Sequence, residues 1–281
     1  MAIGDSTRIN TNIAALNALS ALKSINRALE RSQLKLATGL RINEVSDDPA
    51  GFVISNRLRA RSVGLSTAFN NVGTAKNVLA IAEGGLLNIS DIIITIKEKV
   101  TQAASDTLGS AERNAIKTEI NELTAEIDNI VNETLFNNIS LIDGTYTNIS
   151  IQTGEATTNT LTLSISQNHD ASSLTIDAAN VADRVFTATG ASIALSNINT
   201  ALETLNNSLQ DIGAKISRFT VKESTLSIAI INTEATKSRI LDADIAKEQL
   251  QSTRLQILQQ TATAQLAQAN VSPQNVLALF T

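Results

Sequence analysis

Asp47 and Asp48 stand side by side, and a carboxylate pair is the smallest unit that can divide acid and base roles or help hold a divalent cation. In Ser46-Asp47-Asp48-Pro49 the pair also sits where a helix begins. Capping of free N–H groups and the favourable end of the helix dipole account for it without chemistry. His169 is the single histidine and there is no cysteine. Two-histidine metal sites, thiolate ligands and cysteine nucleophiles are therefore excluded, and Ser-His-Asp catalysis has one candidate base. His169 is expected in an exposed loop. No catalytic residue, cofactor or metal site is predicted.

Charge and composition narrow the class. With a net charge of −5, the 22 Lys and Arg are scattered along the sequence, without the clustered basic face that phosphate binding requires. The 281 residues are 43% hydrophobic and 17% charged, enough apolar material for one or two globular domains. Aromatic residues make up only 2%, so the core must be Leu, Ile, Val and Ala, which suits interdigitating helices. The N-terminal Met-Ala-Ile-Gly-Asp-Ser-Thr-Arg lacks the layout of a cleaved signal peptide. The run Ile92-Ile93-Ile94 is far short of the roughly 20 residues that span a bilayer. No membrane insertion is expected, and the protein is read as cytoplasmic or exported by a route that needs no such signal.

The elements follow from periodicity. Leu19, Leu22, Ile25, Leu29, Leu36 and Leu40 recur mostly at three, four and seven, one apolar stripe on a long helix ending near Gly39. Pro49 suits the first turn of a second helix reaching toward Ser105, with Gly84-Gly85 as the candidate interruption. After a break at Thr107-Leu108-Gly109-Ser110, Ala115, Ile116, Ile120, Leu123, Ile127, Ile130 and Val131 give a third helix with a Glu-rich wet side. Beyond Asp143-Gly144 the period becomes two. Ile149 and Ile151 against Leu161, Leu163 and Ile165 predict a β-hairpin, and Leu174-Thr175-Ile176 and Val185-Phe186 are weaker strand candidates. Helical period resumes at Ile193 and persists to Leu241. The last helix is lined by Gln and Ala, with Leu255, Leu258 and Leu266 on one stripe, and Val276, Leu277, Leu279 and Phe280 add apolar surface with no cover in sight. The fold class is mainly α: long paired terminal helices of coiled-coil type, plus a helical-bundle domain carrying a small β-hairpin region at about 145–190.

The two ends also carry specific motifs: Gln33-Leu-Lys-Leu-Ala-Thr-Gly39-Leu-Arg41-Ile-Asn43, Asp47-Asp48-Pro49-Ala50-Gly51 and Ala82-Glu83-Gly84 on the way out, then Ile212-Gly213-Ala214, Leu241-Asp242-Ala243-Asp244, Leu266-Ala267-Gln268-Ala269-Asn270 and Pro273-Gln274-Asn275-Val276-Leu277 on the return. In this order and combination the chain resembles bacterial flagellin over roughly 1–145 and 190–281, in a short form lacking most of the outer variable domains. The resemblance implies a structural subunit that polymerises into the flagellar filament for swimming motility. The hook-filament junction protein of the same family is the alternative, and a cytoplasmic coiled-coil scaffold or an enzyme fits the sequence less well.

By that resemblance, 1–43 and 238–281 form an inner terminal-helix domain and 44–237 an outer helical-bundle domain. Filament-core packing falls to Leu16, Leu19, Leu22, Ile25, Leu29, Leu36, Leu40, Leu255, Leu258, Leu266, Val276, Leu277 and Phe280. Asp47, Asp48, Pro49 and Gly51 form the interdomain loop. Ile93, Thr95, Lys97 and Glu98 occupy the segment that related flagellins present to an innate immune receptor, with Thr95 where an Arg is expected, so that binding should be weak. The implied partners are further copies of the chain, an export chaperone, a filament cap and hook-associated junction proteins, and neither nucleic acid nor a cofactor is among them. The implied location is the extracellular filament, reached through the flagellar export apparatus.

Overall fold

The computed structural model describes residues 11–277, with side chains described through residue 271. Five helices carry the chain: α1 (Ile13–Thr38), α2 (Pro49–Ala103), α3 (Ser110–Glu133), α4 (Ala188–Leu241) and α5 (Ile245–Leu277). Side-chain caps set several of the starts, each accepting from a backbone N–H that the helix leaves open. Asn12 accepts from Ala15 at 3.0 Å, Asp48 from Gly51 at 2.9 Å, Thr187 from Gly190 at 3.0 Å and Asp244 from Lys247 at 3.1 Å. At the other end of α1, Gly39 takes a left-handed φ of 71° and returns its N–H to the Lys35 carbonyl, the conformation that favours glycine after a helix.

The chain divides into two compact units, one of Met1–Ala60 with Asn232–Thr281 and one of Arg61–Ile231. The second unit holds the main core. Val72, Leu79, Leu86, Ile89, Ile93, Ile96 and Val100 of α2 meet Ile120 and Ile127 of α3 and Ile198, Leu205, Ile212 and Phe219 of α4. By length and apolarity alone α2 passes as a membrane-crossing helix; the buried stripe takes up part of its apolar surface, while Val53, Ile54, Val63, Ile81, Leu87 and Ile94 are exposed. The glycine pair does not interrupt α2. A Cβ on Gly85 would lie 2.6 Å from Thr134 Oγ1, so the glycine admits a close neighbour, and the packing of Ala82, Leu86 and Ile89 around it holds the helix together.

Two small antiparallel hairpins follow α3. In β1 (Leu135–Phe136) and β2 (Ile139–Ser140), Asn137 and Asn138 supply φ of 54° and 63°, as a two-residue hairpin turn requires. β3 (Ile149–Gln152) pairs with β4 (Thr160–Leu163) in the register Ile149↔Leu163, the hairpin expected from alternation. The two weaker strand candidates are not strands. Residues 171–186 form turns and one 3-10 turn, Ala182–Arg184. Leu174, Ile176 and Val185 are buried there as single anchors of an irregular strap, which a two-residue period cannot distinguish from a strand.

His169 is fully buried rather than exposed. Its Nδ1 lies 3.1 Å from the Ile142 carbonyl and its Nε2 2.9 Å from Ser208 Oγ. A carbonyl only accepts, so Nδ1 carries the proton of the neutral ring. The Arg113 guanidinium is likewise buried and donates to the carbonyls of Ser105, Leu108 and Val185 at 2.9, 3.3 and 3.0 Å, tying the end of α2 to the strap.

Burial pushes the His169 imidazole below its ordinary range. Below about pH 6.5 the unfolded chain takes up a proton that the folded chain refuses, so this stability is complete above that pH and is lost as pH falls through the lower folded value. Stability against heat should therefore fall as pH drops below about 6.5, with a slope of at most about 1.4 kcal/mol per pH unit. The same scan on His169→Gln should lack this fall; an unchanged slope in the variant would assign the effect elsewhere. Losses from Asp47 and Asp170, whose carboxyls are held low, lie further down, below about pH 4.

Candidate assembly interface

The first unit contains the helix pair that the sequence assigns to assembly. α1 and α5 run antiparallel: Asn12 Nδ2 donates to the Ala269 carbonyl at 2.7 Å, Gln259 Nε2 to Asn26 Oδ1 at 2.8 Å, and Ser32 Oγ to the Glu248 carbonyl at 3.4 Å. Small and amide side chains make this seam, as the Gln- and Ala-rich α5 suggests. Where α1 and α4 end, backbone pairs join the two breaks. Arg41 donates its N–H to the Leu241 carbonyl at 2.7 Å, Ala243 donates to Gly39 at 2.9 Å, and Leu40 and Asp242 form an isolated β-bridge.

The Asp47-Asp48 pair is committed to this turn. Asp47 Oδ2 accepts from the Asn43 and Glu44 N–H groups at 3.0 and 3.2 Å, and the bond from Asn43 leads the causes that hold its carboxyl below the usual range. Asp48 caps α2 from the other side, and Pro49 takes the first helical position. Gly51 is buried beneath them because a Cβ there would lie 2.5 Å from Asp48 Oδ2 and 2.6 Å from Ile42 Cδ1. Among the described residues no group of three metal-ligating side chains forms.

The apolar stripes divide by depth. Leu29 and Leu255 are buried; Leu22, Ile25, Leu36, Leu40 and Leu266 are half-buried; Leu16, at 58%, Leu19 and Leu258 are exposed. The side chains of Val276 and Leu277, and all of Phe280, lie outside the described residues. Ile245, Leu250 and Ile257 are also exposed on α5; pattern reading left Ile245 and Leu250 out of the stripe, and the only signal at Leu250 was an apolar type between two glutamines. Among the described residues buried side chains are few: Leu29 and Ser32 on α1, Ser252, Leu255 and Ala262 on α5. The arrangement can therefore bury apolar helix faces against further helices.

In the second unit, Ile93 belongs to the core and cannot meet a receptor, whereas Ile94 and Glu98 point outward and Thr95 and Lys97 are half-buried. The Thr95 hydroxyl is turned back to the Asp91 carbonyl at 3.0 Å.

Comparison with known proteins agrees with this layout. The family model for the bacterial flagellin N-terminal helical region matches residues 9–147, and that for the C-terminal helical region matches 195–280. The chain is 35% identical to flagellin of Bacillus subtilis (strain 168), covering 97% of this chain and 99% of that one. It is 32% identical, with the same coverage, to a flagellar filament 33 kDa core protein of Treponema phagedenis. Among solved structures, a putative flagellar hook-associated protein from Vibrio parahaemolyticus matches with a TM-score of 0.59 at 15% identity, covering 70% of this chain and all of that one. At that identity the match speaks for the fold alone.

The geometry of the two glycine types gives a paired test. Gly51→Ala should destabilise the protein by about 1–3 kcal/mol through overpacking. Gly73→Ala, which has open space around its Cβ inside α2, should instead stabilise it by up to about 1 kcal/mol. Urea midpoints that move in the same direction for both would contradict the close packing of the turn.

Proposed function

The chain belongs to the bacterial flagellin family, a family of structural proteins, and on that premise we propose how its parts divide the work of the filament. The protein is a structural subunit that polymerises into the flagellar filament, which is extracellular. The observation that carries the proposal is the shallow burial of α1 and α5. Their exposed Leu16, Leu19, Leu250, Ile257 and Leu258 are covered by the same helices of other copies, so residues 1–43 and 238–281 form the filament core. Residues 44–237 form the surrounding bundle, and the short segment at about 145–190 leaves the filament thin and smooth. The closed turn of Asp47, Asp48, Pro49 and Gly51 joins the two.

Several features support a purely structural role without catalysis. His169 is locked between Ile142 and Ser208, the paired carboxylates cap backbone, and there is no cysteine. Before assembly the apolar C-terminal segment needs a chaperone, and the chain leaves the cell through the flagellar export apparatus. In the finished organelle it meets a cap at one end and hook-associated junction proteins at the other. The junction role itself is less favoured, because the full-length relatives are flagellins and filament core proteins while the hook-associated likeness is one of fold.

Two measurements check this reading. Each buried aliphatic side chain at the C-terminus contributes about 1.5–3 kcal/mol to the polymer, so deleting the last ten residues should leave a soluble monomer that forms no filaments in negatively stained images. Filaments of normal length would remove the terminal helices from the core. Innate receptor binding should be weak, because Thr95 presents no guanidinium and its hydroxyl is spent on its own helix. A central Arg contact can carry 2 kcal/mol or more, so Thr95→Arg should raise receptor signalling by the monomer about tenfold or more. Equal, strong responses from both proteins would remove Thr95 from the explanation.

A further inference from the structure

Lys and Arg that look scattered in the sequence line up on α1. Lys23, Arg27, Arg31 and Lys35 follow one another at intervals of four, which makes neighbours of them along one helix face. Leu29 and Ser32, the residues of α1 buried against α5, lie on the opposite side, so this ridge points away from α5. Lys23, Arg27 and Arg31 are exposed and Lys35 is half-buried. Among the described residues none of the four makes an ion pair. The Arg27 Nε donates to the Lys23 carbonyl at 3.4 Å. At the far end Lys35 and Arg31 lend some charge to Asp47, whose oxygen is already held by the Asn43 and Glu44 N–H groups. Glu30 is the one acid in α1. Like charges four apart oppose a helix rather than support it, so the ridge is unfavourable in the free chain and finds its counter-charge elsewhere.

The charge of the whole chain shows where. The unit of Met1–Ala60 and Asn232–Thr281 carries 12 Lys and Arg against 9 Asp and Glu, a net of +3, whereas Arg61–Ile231 carries 10 against 18, a net of −8. The densest acid lies on α3, where Glu112, Glu119, Glu122, Glu126 and Glu133 are all exposed. The bases of α3 do not neutralise it: Arg113 is buried, and Lys117 is drawn to Asp183 at 2.5 Å. From α2, Lys99 pairs with Glu119 at 2.6 Å, and the neutral Asn129 amide donates to Glu126 at 3.3 Å, which leaves Glu112, Glu122, Glu126 and Glu133 without a cationic partner among the described residues. At about 1.5 Å per residue the α1 ridge is about 18 Å long and the α3 stripe about 32 Å, so the ridge fits within the stripe.

We propose that the α1 ridge of one copy docks on the acidic face of α3 in a second copy, and that this pairing sets the register in which subunits join. The proposal rests on the filament reading and adds to it a specific polar contact between unlike parts of two copies. Apolar burial along α1 and α5 has no sharp register of its own, because Leu, Ala and Gln recur along the whole seam. Charges spaced along the two helices discriminate between registers as α1 orders on its neighbour, and salt weakens their attraction.

Seeded elongation of the full-length protein tests the contact. Lys23→Glu with Arg27→Glu, chosen because they lie away from Asp47, should slow elongation at least tenfold, and Glu122→Lys with Glu126→Lys should do the same. The protein carrying all four changes should recover to within about threefold of the parent, since its charges are exchanged but complementary, and the parent should slow severalfold as salt rises from about 0.05 to 0.5 M. Unfolding midpoints of the monomers monitor folding. If a reversal lowers the midpoint, the neutral pair Lys23→Gln with Arg27→Gln replaces it and should still slow elongation about fivefold. Parent-like elongation by the ridge variant, or no recovery in the exchanged protein, overturns the pairing while leaving the filament reading intact. Failure of the parent itself to elongate would count against the filament reading. A short DNA duplex that binds the monomer through Lys23 and Arg27, with elongation unaffected by their reversal, would overturn the pairing in favour of a nucleic-acid surface.

Discussion

The shortage of burial along α1 and α5 governs the rest of the molecule. Ordering one residue of backbone costs about 1–2 kcal/mol, and a fully buried aliphatic side chain returns about 1.5–3 kcal/mol. Helices of 26 and 33 residues would need deep burial every turn to hold as a pair, yet Leu29, Leu255 and Ala262 are their only buried apolar side chains among the described residues. The second unit does not share this shortage, with α2, α3 and α4 contributing to one continuous core. One chain thus contains a well-buried bundle and a helix pair with open apolar faces, which on the proposed function other copies cover.

The turn between α1 and α2 is the most heavily determined part of the first unit. Asp47 and Asp48 each accept backbone N–H groups, Gly51 admits both Asp48 and Ile42, and the strand-like bridge of Leu40 to Asp242 joins the outgoing and returning chain. Fixing these groups sets where the outgoing and returning chain leave the turn, so that α1 and α5 meet in one orientation when assembly orders them.

Much of the fold was legible because it rests on local pattern. The Leu stripe of α1, the Ser-Asp-Asp-Pro start of α2, the break at Gly109 and the alternation of β3 and β4 all appear as expected, since period and cap chemistry act within a few residues. What failed depends on contacts distant in sequence. His169 is buried by Ile142 and Ser208, and Leu174 and Ile176 are anchors of an irregular strap. The glycine pair of α2 survives because Thr134 and Ile142 pack over Gly85, which no propensity scale records. The outward ridge of α1 escaped notice for a different reason: bases spaced by four look scattered in a sequence and adjacent on a helix.

The central claim, that the terminal helices are completed by other copies, is tested most directly by amide exchange measured on the monomer and on the filament. The account predicts slow exchange through residues 72–100 in both states. Residues 13–38 and 245–277 should exchange rapidly in the monomer and be protected in the filament. Strong protection of residues 19–38 in the monomer, equal to that in the filament, would contradict it.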